Sequence, residues 1–274
     1  MDLQHYLARI GYRGGTRPDL AALIALQQSH ICSVPFENLD VQLGRRLTTD
    51  VGAAYEKIVT NGRGGWCYEQ NGLFGWALSE FGFNVTRLAA DVMRQDRGDS
   101  AKANHLCLLV SYPGSTVDYL VDVGFGGSMI EPIRLAESEY AQPPFRIGLR
   151  RLEDSYWRFW ENIGNGEFSF DFVAEPASEV ALARKCEVLQ TDPSSVFTLN
   201  LVAQLRSRDQ HSALRGRVLT TATQAGVKSR TLDSADALVT TLAKRFHLDV
   251  PEVANLWPRI AARHEEYLHT RNDS

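Results

Sequence analysis

The sequence predicts an α+β fold made of three units that pack as one body. Residues 1–85 repeat apolar side chains at three- and four-residue spacing, which is typical of amphipathic helices. Residues 86–190 carry short alternating runs between Gly and Pro signals, which indicates a barrel-like sheet. Residues 191–274 mix both patterns, so we expect an α/β unit there.

Helices are predicted through the first unit. Residues 19–31 and the segment after Asp50 place apolar side chains on one helical face, and Asp50 is a suitable N-cap. A further helix ends at Gly82 and has a buried face of Leu73, Phe74, Ala77, Leu78 and Phe81. Its first turn contains Cys67, where free backbone N–H groups and the helix dipole favour an anion such as a thiolate.

Two side chains in the second unit complete a candidate triad with Cys67. Residues 104–112 and 118–123 are predicted to be strands of an antiparallel hairpin that carry His105 and Asp122. A carboxylate in an apolar run needs a partner, because burying it alone is costly, and a protonated imidazole is a suitable one. We therefore expect a cysteine-protease-like core with a cysteine nucleophile, a histidine base and an aspartate that orients the histidine.

The remaining elements are predicted from shorter patterns. Residues 156–160 and 168–172 are expected to be strands of the barrel, and residues 217–223 a strand of the third unit. Two helices are expected near the end of the chain, marked by Leu238, Leu242 and Phe246 and by Trp257, Ile260 and His264.

The segment around the candidate nucleophile resembles a family signature. Residues 63–71 read Arg-Gly-Gly-Trp-Cys-Tyr-Glu-Gln-Asn, which is similar to the Arg-Gly-Gly-x-Cys-x-Glu-x-Asn motif of arylamine N-acetyltransferases. Three further matches keep the family's order: residues 34–40 with a Pro-Phe-Glu-Asn-Leu block, His105 with residues 122–126, and residues 193–198 with a Ser-x-Phe segment. The last third of the chain carries no motif of the family.

The resemblance implies a transferase that works by a ping-pong mechanism. Cys67 would take an acetyl group from the cosubstrate acetyl-CoA, and coenzyme A would leave. An arylamine, arylhydrazine or arylhydroxylamine would then take the acetyl group, as in xenobiotic metabolism, with His105 assisting proton transfer. No metal is expected in this reaction.

The resemblance also implies binding roles. The aromatic acceptor would contact Phe36, Phe125 and Phe197. Coenzyme A would lie near a glycine turn formed by Gly124, Gly126 and Gly127. Residues 191–274 would cover the cleft as a lid. The charged members of the two motifs, Glu37, Arg63 and Glu69, are expected to form ion pairs around the nucleophile rather than to take part in the chemistry.

Three other interpretations of the function remain open from the residues alone. A hydrolase or transglutaminase-like thiol enzyme would use the same triad and differ in its acceptor, which would be water or a lysine. A zinc site would combine His105, Cys107 and Cys67, although no Cys-x-x-Cys pair supports it. A non-enzymatic module would bind a coenzyme or a small aromatic molecule, and the intact triad disfavours it.

The composition limits the range of partners. The chain has 274 residues and a net charge of −4, which gives no electrostatic case for nucleic acid or an anionic membrane. No run approaches a membrane span, and the N-terminal residues lack a signal-peptide pattern. The four cysteines, Cys32, Cys67, Cys107 and Cys186, are expected to be free thiols in a cytoplasmic protein. The oligomeric state stays open.

Overall fold

The structure of the protein is a computed structural model, and it describes residues 1–163 and 166–272. Its α-helices are α1 (Leu3–Arg9), α2 (Leu20–Ser33), α3 (Leu39–Gln42), α4 (Val51–Tyr55), α5 (Cys67–Phe81), α6 (Arg94–Arg97), α7 (Glu179–Thr191), α8 (Val196–Leu199), α9 (Ala235–Phe246) and α10 (Trp257–Asn272). A π-helical turn, Glu56–Thr60, extends α4, and 3₁₀ turns occupy Gly98–Ala101 and Pro251–Leu256. Among the described residues, no helix has the length and apolar character needed to cross a bilayer.

The strands form two antiparallel sheets within the described ranges. They are β1 (Phe36–Glu37), β2 (Asn84–Val92), β3 (His105–Ser111), β4 (Tyr119–Val121), β5 (Ile133–Arg134), β6 (Ser138–Gln142), β7 (Phe145–Arg151), β8 (Tyr156–Asn162), β9 (Phe168–Val173), β10 (Val202–Arg206), β11 (Gln210–Arg215), β12 (Val218–Thr223) and β13 (Gly226–Thr231). The eight-stranded sheet has the order β5-β4-β3-β2-β9-β8-β7-β6 and curls into a half-barrel. The five-stranded sheet has the order β1-β10-β11-β12-β13. The predicted α+β class is confirmed.

The helices predicted in the first unit are present, and local capping explains where they begin. Asp19 accepts a hydrogen bond from the Ala22 amide at the start of α2 (2.9 Å), and Asp50 accepts one from the Ala53 amide at the start of α4 (2.7 Å). Helix α5 ends at Gly82, whose φ of +107° lies in the left-handed region that glycine adopts without steric cost.

Strand β3 lies between two hydrophobic cores. On one side, Leu108 and Val110 pack with the predicted face of α5, which includes Leu73, Phe74 and Leu78. On the other side, Cys107 packs with Phe170 and other apolar residues inside the half-barrel. The alternation predicted for residues 104–112 is therefore confirmed, and His105 is held on a strand that is buried on both faces.

One prediction about local structure is wrong. Asp122 does not lie on a strand, because β4 ends at Val121 and the next backbone amides bind side chains instead of a neighbouring strand. The Val123 amide donates to Asn71 Oδ1 (2.9 Å) and the Gly124 amide donates to Asp122 Oδ1 (2.8 Å). After the last strand of this sheet, Ser178 caps helix α7.

Candidate active site

The candidate nucleophile occupies the first position of α5. Cys67 is 3% exposed and follows Trp66, which is the N-cap residue. The Trp66 amide donates to Glu69 Oε2 (3.2 Å), and Gln70 Nε2 donates to the carbonyl of Gly65 (2.7 Å). These contacts fix the entry of the chain into the helix, and they place the thiol where the positive end of the helix dipole favours a thiolate.

His105 and Asp122 form a short, buried contact. The distance from His105 Nε2 to Asp122 Oδ2 is 2.6 Å, and the two side chains are 3% and 0% exposed. The ring nitrogen donates this hydrogen bond, because an ionised carboxylate can only accept. Nε2 is thereby engaged, which leaves Nδ1 to face the thiol of Cys67.

The protonated form of His105 is stabilised by its neighbours. Burial alone lowers the pKa of the imidazole, but the charge and hydrogen bond of Asp122, together with a hydrogen bond to Cys67, outweigh it and raise the pKa to about 10. The ring is therefore a cation at neutral pH, held between a carboxylate and a sulfur atom. Such an arrangement suits a thiolate–imidazolium pair.

Asn71 holds the aspartate in place, and sequence reasoning gave it no role. Its Nδ2 donates to Asp122 Oδ1 (2.8 Å) and to the carbonyl of Leu106 (2.6 Å). It lies four residues after Cys67 and thus on the same face of α5, which is the signal that identifies it. One helix therefore carries both the thiol and the amide that orients the carboxylate.

The predicted glycine turn lies against the nucleophile and the five-stranded sheet. A Cβ atom added to Gly124 would lie 2.7 Å from the Cα of Cys67, so only glycine allows this approach. The carbonyl of Gly126 accepts a hydrogen bond from His211 Nε2 (2.7 Å), and a Cβ on Gly127 would lie 3.0 Å from that of Arg206. The turn thus joins the triad to β10 and β11.

The three predicted aromatic residues lie near different members of the Cys67–His105 pair. The half-buried Phe125 ring lies 5.2 Å from the His105 ring, measured between centroids. Phe36 and Phe197 pack together with Cys67, and their rings are 6.3 Å apart. The structure therefore brings all three near the triad without joining them into one cluster.

Charged residues form an ion-pair network under the start of α5, and the predicted pairing is confirmed with two added members. Arg63 Nη2 lies 2.7 Å from Glu37 Oε1 and 3.2 Å from Asp40 Oδ1. Lys57 Nζ lies 2.9 Å from both Asp40 Oδ2 and Glu69 Oε2. Burial lowers the pKa of Lys57, but the surrounding carboxylates outweigh it and raise that pKa above its usual value. All members are buried or nearly so.

The other three cysteines have a different environment from that of the triad. All four cysteines are free thiols. Burial raises the pKa of Cys32 and of Cys107, and it raises that of Cys186 to about 12. In the described part of the chain, no group of three His, Cys, Asp or Glu side chains has the arrangement of a metal site.

Comparisons with known proteins cover nearly the whole chain. The family model described as N-acetyltransferase matches residues 19–255. The arylamine N-acetyltransferase of Mycolicibacterium smegmatis is 36% identical, covering 98% of this chain and 99% of the relative. The arylamine N-acetyltransferase pineal gland isozyme NAT-10 of Gallus gallus is 34% identical, covering 80% and 83%.

Solved structures show the same similarity. The structure of M. smegmatis arylamine N-acetyltransferase has a TM-score of 0.87 and 35% identity, and covers 96% of this chain and 98% of its own. That of Mycobacterium marinum arylamine N-acetyltransferase in complex with CoA has a TM-score of 0.86 and 32% identity, with the same coverage of 96% and 98%.

Proposed function

The chain belongs to the arylamine N-acetyltransferase family, and we propose that it works by a ping-pong mechanism through an acetyl-cysteine at Cys67. The donor is acetyl-CoA, and the acceptors are arylamines, arylhydrazines and arylhydroxylamines. The observation that carries the mechanism is the buried contact of 2.6 Å between His105 and Asp122, beside a cysteine at a helix start.

The first half-reaction transfers the acetyl group to the enzyme. The Cys67 thiolate attacks the thioester carbonyl, and a new C–S bond forms. The tetrahedral oxyanion needs a donor, and the backbone N–H of Cys67 is well placed at the helix start to supply one. The C–S bond to coenzyme A then breaks, and the protonated His105 gives its proton to the leaving thiolate.

The second half-reaction transfers the acetyl group to the acceptor. A neutral aromatic amine attacks the thioester carbon of acetyl-Cys67, and the C–N bond forms while the C–S bond breaks. His105 takes the proton that the nitrogen loses, so the thiolate–imidazolium pair is restored. Because Cys67 is 3% exposed, water reaches the intermediate poorly, which favours the amine over hydrolysis.

The binding roles are supported by position. We propose that coenzyme A lies along the turn of Gly124, Gly126 and Gly127, since this turn contacts the backbone of Cys67. The acceptor ring would pack between Phe125 on the His105 side and Phe36 and Phe197 on the Cys67 side. Residues 191–274 would form the lid. A cytoplasmic location is a further part of the proposal, and the four free thiols support it.

The mass of the intact protein after brief exposure to acetyl-CoA, without an acceptor, tests this mechanism. We expect one added acetyl group, mapped to Cys67 and removed when an arylamine is supplied. Cys67→Ala should take up none, and Cys32→Ala is the matched control that should behave as wild type. Release of coenzyme A without an acetylated protein would instead indicate hydrolysis of acetyl-CoA, because no amine is present to take the acetyl group.

A further inference from the structure

A carboxyl group that the mechanism does not use lies inside the half-barrel near the triad. Glu161 lies on β8, opposite Phe168 of β9. The residue is partly exposed, but its Oε2 is fully buried and makes no well-aligned hydrogen bond in the described part of the chain. The buried hydroxyl of Ser128, which interacts with this carboxyl, also lacks a well-aligned partner. Buried polar atoms without partners are rare in folded proteins, and they often mark functional positions.

Two stacked aromatic rings connect His105 with the strand pair that carries this carboxyl. The Phe125 ring lies 5.2 Å from the His105 ring, and the Phe168 ring stacks on Phe125 at 5.1 Å with an interplanar angle of 14°. Phe168 is 41% exposed, and it is the cross-strand partner of Glu161. The stacked rings of Phe125 and Phe168 therefore span the interval between the His105 ring and the strand position of Glu161.

The neighbours of Glu161 keep it uncharged at neutral pH. Burial raises the pKa of its carboxyl to about 8, although a hydrogen bond with Ser128 lowers it, and the charge of Asp122 adds a smaller rise. Its cross-strand partners are Ile147 on β7 and Phe168 on β9, which are both apolar. The protonated carboxyl can donate one hydrogen bond and accept others, whereas the ionised form can only accept.

We propose that Glu161 determines acceptor specificity by binding a polar group at the end of the aromatic ring opposite the attacking nitrogen. This inference rests on the proposed function, because it assigns the far end of the same acceptor site. The protonated side chain donates a hydrogen bond to a carboxylate or a carboxamide. The ionised side chain repels the carboxylate and still accepts from the carboxamide.

Two acceptors of nearly equal shape, 4-aminobenzoate and 4-aminobenzamide, distinguish the protonated from the ionised form of Glu161. We expect the ratio of their kcat/KM values, benzoate over benzamide, to fall about tenfold for wild type between pH 7 and pH 9.5, because two like charges come close. In Glu161→Gln the ratio should stay constant over this range. The change should lie mainly in KM. Effects of pH on the triad and on the attacking amine cancel in the ratio.

The matched control is Glu139→Gln, which removes an exposed carboxylate that pairs with Arg146 (2.9 Å). This variant should keep the wild-type profile. Acetylation of Cys67 by acetyl-CoA is measured alongside in wild type and in Glu139→Gln, and it should be the same in both. A ratio that is constant with pH in wild type, or that falls equally in Glu161→Gln, overturns the inference while the acetyl transfer stands. Wild type that is not acetylated at Cys67 refutes the proposed function instead.

Discussion

Two buried polar clusters meet at the start of α5, and they differ in how readily their cations lose a proton. The ion-pair network joins Lys57 and Arg63 to carboxylates, and both of its cations keep their charge at neutral pH. The triad is also buried, but its one cation is the imidazolium of His105, which gives up its proton more readily than a lysine or an arginine. Burial alone therefore does not distinguish the cluster that we propose to be catalytic. The cluster that can do chemistry is the one in which a proton can leave.

The two clusters also hold different parts of the backbone. The network links the segment after β1 to the start of α5, since Arg63 and Lys57 contact Glu37, Asp40 and Glu69. The triad links α5 to the hairpin of β3 and β4 through Asn71. We expect changes in the network to affect folding stability, and changes in the triad to affect rate.

Removal of the nucleophile should have the largest effect. Cys67→Ala removes the atom that carries the acetyl group, and we expect at least about a 10⁴-fold loss of acetyl transfer in steady-state assays. The melting temperature should change little, because the thiol is small. Turnover by this variant close to that of wild type would rule out the acetyl-cysteine mechanism.

Loss of the aspartate charge should have the next largest effect. Asp122→Asn keeps the size of the side chain but no longer stabilises the protonated ring, and we expect kcat/KM to fall about 10³–10⁴-fold. Asn71→Ala should give a smaller fall, because it leaves the carboxylate present but less well held. A loss for Asn71→Ala greater than that for Asp122→Asn would mean that the amide has a direct part in the reaction.

A substitution in the ion-pair network should lower folding stability much more than it lowers the rate. Lys57→Met leaves buried carboxylates without their partner, and we expect a loss of about 3–5 kcal/mol in the free energy of unfolding. Below the melting temperature, the acetylation rate of Cys67 should remain within about tenfold of wild type, since the triad keeps its contacts. The exposed Lys228→Met is the control. If Lys57→Met were as stable as wild type but inactive, the ion-pair network would have to take part in the reaction.

The smallest expected effect is a pH dependence of stability. The pKa of His105 is raised from 6.5 to about 10 in the folded protein. Its contribution to stability is therefore complete below pH 6.5 and is lost as the pH rises toward 10. We expect the wild-type melting temperature to fall over this range by more than that of His105→Gln, which lacks the titrating ring. Parallel curves for the two proteins would contradict the raised pKa.

Local sequence patterns predicted much of the site. The apolar spacing of Leu73, Phe74 and Leu78 placed Cys67 at a helix start, and the alternation around His105 placed that residue on a strand between two cores. Each pattern arises because one face of a single helix or strand is buried, and such burial produces a repeat within one stretch of sequence. The triad roles and the binding residues stay predictions that the experiments above address.

Features that depend on distant contacts were not predicted. Strand β1 has two residues and pairs with β10, so no local repeat marks it. Lys57 and Asp40 join the network through side chains from three segments, and their charges alone also fit an exposed surface. Asp122 lies beyond the end of β4, and the next backbone amide, that of Val123, donates its hydrogen bond to Asn71 on α5. This is a contact between distant segments, which no local pattern shows. The boundaries proposed near residues 85 and 190 stay predictions.

The most direct test of the account is the rate at which iodoacetamide alkylates each cysteine at pH 6.5. We expect Cys67 to react fastest of the four in wild type, because the protonated His105 holds its thiolate. His105→Gln should slow Cys67 strongly, and Lys57→Met should leave its rate nearly unchanged. Equal rates for all four cysteines in the folded wild-type protein, or a Cys67 rate that depends on Lys57 as much as on His105, would contradict the distinction between the two clusters.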